Sequence, residues 1–250
     1  MALSDLGSGL RGGVAFLTRL PVETTERDWL RFQEFPAAFP LVAYLIGAAV
    51  SIPFFVLSGT SAAFAYLLAV VALVGIAHLD GVADLGDAVV VHDADGRREV
   101  LKDTTTGVGA IVAVAVVFAG LTLAALGLAG LPTLTAVGIV IASEVGAKLG
   151  MATVACIGTA SHEGLGSQFT RNASPALLAG PAVAAIPAAL LTGFSPAALV
   201  AVLAGPLVAV GVVSWAEENL GGVNGDVFGA VNELGRVVAL HTGVVTWTQF

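Results

Sequence analysis

Six long apolar runs, each close to the length that crosses a lipid bilayer, most strongly constrain how this chain folds. A membrane-crossing helix needs roughly 20 apolar residues. Backbone groups find no water in lipid, so the runs predict helices, which satisfy their own hydrogen bonds. The runs are residues 39–57, 62–79, 107–128, 134–157, 175–191 and 196–215. A seventh, weaker run at residues 227–247 either spans the membrane or lies along its surface.

The runs predict an all-α fold, a polytopic transmembrane bundle of six to seven helices, with residues 1–250 forming a single domain. Composition agrees, because 57% of the residues are hydrophobic and 11% are charged, whereas a soluble domain has about 25% charged residues. The net charge of -8 argues against a nucleic-acid partner. Residues 1–13 contain no apolar core long enough for a signal peptide, so we expect the membrane helices themselves to direct insertion.

Charged residues concentrate in alternate connections. The N-terminal segment and residues 78–106, 158–174 and 217–236 contain nine of the ten Lys and Arg and seventeen of the eighteen Asp and Glu. The other connections carry no charge. Because basic residues are retained on the inner side of the membrane, all four charged segments are predicted to be cytoplasmic. We therefore expect a multi-pass protein of the cell membrane, embedded in the lipid bilayer, with its active site facing the cytoplasm.

Three aspartates follow the second apolar run. Asp80, Asp84 and Asp87 are spaced i, i+4 and i+7, so in a helix they share one face. Like charges so arranged repel, and a divalent cation offsets that repulsion. Mg²⁺ typically takes one or two carboxylates together with substrate phosphate oxygens. The spacing therefore predicts a metal site, with a solvated helix end as the alternative.

Two further polar segments are predicted on the same side. Lys102 and Asp103 precede the third run, where Asp103 either caps the helix or joins the metal site, with Lys102 on a phosphate. A glycine-rich turn through Gly225 leads into a helix whose Asp226 and Glu233 are seven residues apart and share a face. Backbone N–H groups at such a helix start suit an anion.

Two ionisable residues lie inside the fourth run. Glu144 and Lys148 have the i, i+4 order that favours an ion pair. Ionisable residues at membrane depth are functional candidates. The alternatives are a structural pair, or a Lys148 side chain that extends towards a bound phosphate. In the third charged segment, His162 and Glu163 are either a base or ligand or simply exposed.

Taken together, the motifs resemble the cobalamin synthase family, adenosylcobinamide-GDP ribazoletransferase. The most specific is His78-Leu79-Asp80-Gly81-Val82-Ala83-Asp84, with Asp87. The supporting motifs, in the order the family has them, are Phe16-Leu17-Thr18-Arg19-Leu20-Pro21-Val22, Phe39-Pro40-Leu41-Val42, Lys102-Asp103, Glu163-Gly164-Leu165-Gly166 and Gly225-Asp226-Val227-Phe228-Gly229-Ala230. The chain departs from the family at residues 104–107, where a basic residue is missing, and at Arg236, where the family often has an acid.

The resemblance implies a Mg²⁺-dependent transfer from adenosylcobinamide-GDP to α-ribazole or its 5′-phosphate, which releases GMP. In this interpretation Asp80, Asp84 and Asp87 bind the metal ion. The residues expected to act in catalysis are Asp80, Asp84, Asp103, Asp226 and Glu233. The residues expected to bind substrate are Lys102, Lys148, Glu163 and Gly225. The sequence leaves self-association into a homo-oligomer open.

Two other functions use similar residues. A CDP-alcohol-type membrane phosphotransferase also has aspartate-rich helix ends, but that class expects Arg after Ala83, where this chain has Asp84. A cation carrier expects acids near the middle of the bilayer. Only Glu144 is predicted there, and Lys148 lies one turn away from it.

Overall fold

Helices account for all regular secondary structure in the part of the chain that the computed structural model describes, residues 3–103 and 105–250. The helices are α1 (Leu3–Leu17), α2 (Glu26–Gln33), α3 (Ala38–Val50), α4 (Pro53–Val56), α5 (Gly59–Val74), α6 (Ala77–Val89), α7 (Ala94–Val100), α8 (Val108–Ala129), α9 (Thr133–Ile157), α10 (Leu165–Thr170), α11 (Ala179–Ala189), α12 (Ala197–Leu220) and α13 (Gly225–Gln249). A short 3₁₀ helix, Pro175–Leu178, leads into α11.

The predicted all-helical membrane bundle is confirmed. Among the described residues, four segments are long and apolar enough to cross a membrane: Ala38–Val56, Val108–Ala129, Thr133–Ile157 and Ala197–Leu220. The number rises to five if α5 and α6 together form one span. The bundle therefore has fewer candidate spans than the six to seven helices expected from the apolar runs.

Local features explain the difference in number. The second predicted run breaks at Gly75, whose φ of 81° ends α5, and α6 departs at 95°. Only glycine adopts such a backbone conformation without strain. The fifth run is divided between the 3₁₀ turn and α11, which has only 11 residues. Helix α13 has 25 residues, but Asp226, Glu233 and Arg236 interrupt its apolar character.

Helix α9 forms the centre of the bundle. In the most apolar 18-residue stretch of α9, 94% of the residues are buried inside the bundle. The helix packs against α3, α12 and α13. Glycines let α9 and α12 approach closely, because a Cβ atom added at Gly205 would lie 1.8 Å from the carbonyl oxygen of Gly146. Small residues at a helix crossing commonly allow this approach in membrane proteins.

The charged connections meet at one end of the bundle. Ala160 and Val223 pair as an isolated parallel bridge, which joins the segment after α9 to the segment before α13. Arg97 on α7 bonds to Asn219 at the end of α12. The backbone N–H of Arg19 donates to the Leu73 carbonyl at 2.7 Å, so the N-terminal segment covers the bend between α5 and α6.

The α9–α12 crossing predicts a selective effect of one added methyl group. Gly205→Ala must push two backbones apart, so we expect the free energy of unfolding to fall by about 1–3 kcal/mol. Gly211→Ala is the matched control on α12, because nothing lies within 4 Å of its added Cβ atom. Thermal unfolding in detergent should show a lower midpoint for the first variant only. Equal midpoints would contradict the close crossing.

Candidate functional site

The three aspartates of the predicted metal site lie on α6, at the end of the bundle where the charged connections meet. Asp80 is exposed, whereas Asp84 and Asp87 are half-buried. Their i, i+4 and i+7 spacing along this 13-residue helix places them on one face. Helix α6 is too short to cross a membrane by itself, and these acids lie outside the four candidate spans.

A close crossing of α6 and α13 brings a fourth acid to this face. A Cβ atom added at Gly81 would lie 2.5 Å from the carbonyl oxygen of Asp226, and one added at Gly229 would lie 2.9 Å from the carbonyl oxygen of His78. The two backbones therefore touch at two points, one helical turn apart. The crossing positions Asp226, near the start of α13, beside the α6 aspartates.

The acids act on one another electrostatically. Burial, followed by the negative charges of Asp226, Asp80 and Asp87, raises the pKa of Asp84 to about 6. Burial and Asp80 also raise the pKa of Asp226, while a hydrogen bond from Asn224 and the charge of His162 oppose that shift. Asp84 is thus the centre of a negative cluster, hereafter the acid cluster (Asp80, Asp84 and Asp226).

Asp87 makes different contacts from the other aspartates of α6. Its two carboxylate oxygens accept hydrogen bonds from the backbone N–H groups of Gly107 at 2.7 Å and Ala110 at 2.8 Å. Asp87 therefore caps the first turn of α8 from a neighbouring helix, which satisfies N–H groups that a helix start leaves open. The sequence pattern did not predict this capping role.

Lys102 and Asp103 lie between α7 and α8, and both are exposed. The carboxylate of Asp103 accepts hydrogen bonds from the backbone N–H and the hydroxyl of Thr105, at 3.0 and 2.8 Å. Asp103 and Asp87 also contribute to the lining of an apolar cavity of about 1020 Å³ between α6, α8, α12 and α13. The lining residues from α6 are Val82, Leu85, Gly86, Asp87 and Val89, and they include neither Asp80 nor Asp84.

The acid cluster is not a preformed metal cage. In the described parts of the chain, no three His, Cys, Asp or Glu side chains are arranged to hold a metal ion. Mg²⁺ needs fewer protein ligands than such a cage supplies, because it usually binds one or two carboxylates, several waters and substrate phosphates. The donor chemistry of Asp84 and its neighbours fits that mode, in which substrate completes the coordination.

Glu144 and Lys148 form the predicted ion pair, and the structure extends it into a network. The Lys148 Nζ atom lies 2.6 Å from Glu144 Oε2, with both side chains fully buried. Arg236 on α13 donates to Glu144 through Nε at 2.5 Å and also pairs with Glu233. Two positive and two negative charges therefore balance inside the bundle, in what we call the buried charge network (Glu144, Lys148, Glu233 and Arg236).

The buried charge network reaches the start of α6 through Asn232. The Asn232 side-chain N–H₂ group donates to Glu233 Oε1 at 2.8 Å and to His78 Nδ1 at 3.1 Å. Glu233 and Lys148, predicted to act in catalysis and substrate binding, thus contact charged residues of the interior. Seven residues along α13 correspond to about 10 Å, so Glu233 lies deeper in the bundle than Asp226.

The buried charge network also explains the presence of Arg236, one of the departures noted in the sequence analysis. Arg236 stands where the resemblance leads one to expect an acid, and here its guanidinium neutralises Glu144 across the α9–α13 interface. Sequence reasoning missed this contact. The only available signal was the i, i+3 spacing of Glu233 and Arg236, which indicates a local pair but not its connection to α9.

A polar pocket of about 580 Å³ lies next to the start of α13. Its lining residues are Gly158, Thr159, Ala160, His162, Glu163, Ser167, Thr170 and Arg171. Glu163, a predicted substrate-binding residue, forms an exposed ion pair with Arg171. Gly225 opens α13 against Leu165, and Asn224 caps that helix by accepting the Val227 N–H at 3.1 Å.

The fold and site define an integral membrane protein of helices whose polar residues from several connections form a site at one end of the bundle. The profile of the cobalamin-5-phosphate synthase family matches residues 9–244. The chain therefore belongs to the cobalamin-5-phosphate synthase family.

Relatives in several archaea share most of the chain. A protein of Halorubrum lacusprofundi, named adenosylcobinamide-GDP ribazoletransferase, is 48% identical over 97% of this chain and 99% of its own length. A protein of the same name from Halobacterium salinarum is 62% identical over 74% of this chain and 94% of its own length. A third, from Haloquadratum walsbyi, is 41% identical over 96% and 98%, respectively. No solved structure matches the chain.

The buried charge network predicts a large effect of removing one cation. Arg236→Met leaves Glu144 and Glu233 with one positive partner, so we expect the free energy of unfolding to fall by about 3–5 kcal/mol. The control is Arg27→Met, which breaks an exposed pair with Asp5 and should cost at most about 1 kcal/mol. Denaturation of both purified variants in detergent gives the comparison. Similar losses would contradict the interior position of Arg236.

Proposed function

We propose that this chain transfers the adenosylcobinamide-phosphate group from adenosylcobinamide-GDP to α-ribazole or its 5′-phosphate, releases GMP, and requires Mg²⁺. Family membership and the names of the relatives support the reaction. They also disfavour the CDP-alcohol phosphotransferase and the cation carrier. The acid cluster at the α6–α13 crossing is the observation that carries the metal requirement.

The proposed reaction builds negative charge on the phosphate that leaves. A bound Mg²⁺ ion stabilises such charge and aligns the reacting groups. Asp84 and Asp226 are the best placed to hold the ion, since both are partly buried and the charge of Asp226 is the largest electrostatic influence that raises the pKa of Asp84. Asp80 is exposed on the same face and adds a third carboxylate or a contact through water.

The buried charge network stabilises the two helices, α6 and α13, that carry the acid cluster. Asn232 bonds His78 at the first turn of α6, two residues before Asp80. The network therefore fixes the start of α6 against α13, and Glu233 and Arg236 contribute to the position of the acids rather than to the reacting atoms. Asp87 fixes the other end of α6 to the start of α8.

We also propose that the site faces the cytoplasm of a cell membrane. The distribution of Lys and Arg supports this orientation, because the basic residues other than Lys148 occur in the N-terminal segment and the three other charged segments. The contacts among those segments at one end of the bundle agree with it.

Removing one central carboxylate is the sharpest test of the metal proposal. Asp84→Asn should lower GMP release at least about 100-fold, because a charge that stabilises the transition state through the metal is lost. Purified protein in detergent would be incubated with adenosylcobinamide-GDP, α-ribazole and Mg²⁺, with and without chelator. The matched control is Asp95→Asn, an exposed aspartate paired with Arg98 on α7.

The metal assignment and the proposed reaction are tested by different results of that assay. We expect GMP only when both substrates and Mg²⁺ are present, wild-type release by Asp95→Asn, and a folded but inactive Asp84→Asn variant. Near-wild-type turnover of Asp84→Asn would refute the metal assignment. Absence of product from the wild-type protein, in the presence of every component, would refute the proposed reaction itself.

A further inference from the structure

The polar pocket adjoins the acid cluster through direct backbone pairing. The Ser161 N–H donates to the Val223 carbonyl at 3.0 Å, and the Val223 N–H donates to the Thr159 carbonyl at 2.7 Å. Val223 precedes Asp226 by three residues. The wall of the pocket is therefore joined to the turn that supplies Asp226 of the acid cluster.

His162 is the pocket residue that acts on the acid cluster. Its neighbour Ser161 is hydrogen-bonded to Val223, in the turn that leads to Asp226, and the charge of His162 favours the ionised form of Asp226. His162 is exposed and is one of the residues that line the pocket. A histidine between an acceptor pocket and a phosphate site has the position that a proton acceptor needs.

Ser161 contacts the imidazole ring of His162 at one nitrogen. The Ser161 Oγ to His162 Nδ1 distance is 2.9 Å, and the same hydroxyl lies 3.4 Å from the Val223 carbonyl oxygen. The two contacts orient the imidazole against the turn before α13. In its neutral form an imidazole has one nitrogen with a free lone pair, which is able to take a proton.

The chemistry of the lining suits a sugar hydroxyl group. Thr159 and Thr170 bring hydroxyls to the pocket, while the Glu163 and Arg171 pair brings an acceptor and a donor. The volume of about 580 Å³ lies within the range of roughly 300–1,000 Å³ that encloses small ligands. The apolar cavity, in contrast, includes neither Asp80 nor Asp84 in its lining and offers few hydroxyls or amides.

We propose that the polar pocket binds the ribazole acceptor and that the imidazole of His162 accepts the proton of its attacking ribose hydroxyl. This inference rests on the proposed function and adds the acceptor subsite and the base. The ribose oxygen forms a bond to the phosphorus that carries the corrinoid. The bond from that phosphorus to the GMP oxygen breaks, GMP leaves with the electron pair, and the hydroxyl proton moves to the imidazole of His162.

The test measures each substrate separately in the full-length protein in detergent. His162→Ala should lower kcat about 100-fold or more, the usual contribution of a general base, and added imidazole should restore part of it. Thr170→Val should raise KM for α-ribazole several-fold and leave KM for adenosylcobinamide-GDP unchanged. His92→Ala, which removes an exposed histidine before α7, is the control and should keep wild-type values.

The outcomes separate the inference from the proposed function. Wild-type kcat in His162→Ala, or no effect of imidazole on a slow variant, would overturn the role of His162. Equal changes in both KM values for Thr170→Val would overturn the acceptor subsite. Lack of GMP release by wild-type protein would instead refute the proposed function, because that result does not depend on the pocket.

Discussion

The close crossing of α6 and α13 is the contact on which the site depends. Gly81 and Gly229 have no side chains, so the carbonyl oxygens of Asp226 and His78 occupy the space that a Cβ atom would need. This contact sets the register between the two helices. It places Asp226 beside Asp84, and the proposed cation, the acceptor pocket and the turn before α13 all depend on that placement.

The interior of the bundle stabilises the crossing by charge pairing. Burying four charges is costly unless each has a partner, and Glu144, Lys148, Glu233 and Arg236 balance one another through direct ion pairs. Through Asn232 the same residues hold His78. The polar interior therefore links the central helix α9 to α6 and α13, the two helices that carry the acid cluster. The positions of the acids consequently depend on the packing of the core.

Periodicity and composition predicted the helical bundle, the shared face of Asp80, Asp84 and Asp87, and the Glu144–Lys148 pair, because these follow from spacing along one helix. The break at Gly75 was not predicted, since an apolar run gives no sign of a φ of 81°. Nor did spacing reveal that Asp87 caps α8 or that Arg236 reaches Glu144. Those contacts join different helices, and only the tertiary packing determines them.

The most direct test separates the crossing from the acids themselves. Gly81→Val keeps every carboxylate but forces α6 away from α13. Titration of Mn²⁺, as a paramagnetic substitute for Mg²⁺, into the purified protein with adenosylcobinamide-GDP present would report the metal site by electron paramagnetic resonance. We predict that the wild-type chain binds the ion and that folded Gly81→Val protein binds it at least about 10-fold more weakly. Equal affinity in the two proteins would contradict a metal site made by this crossing.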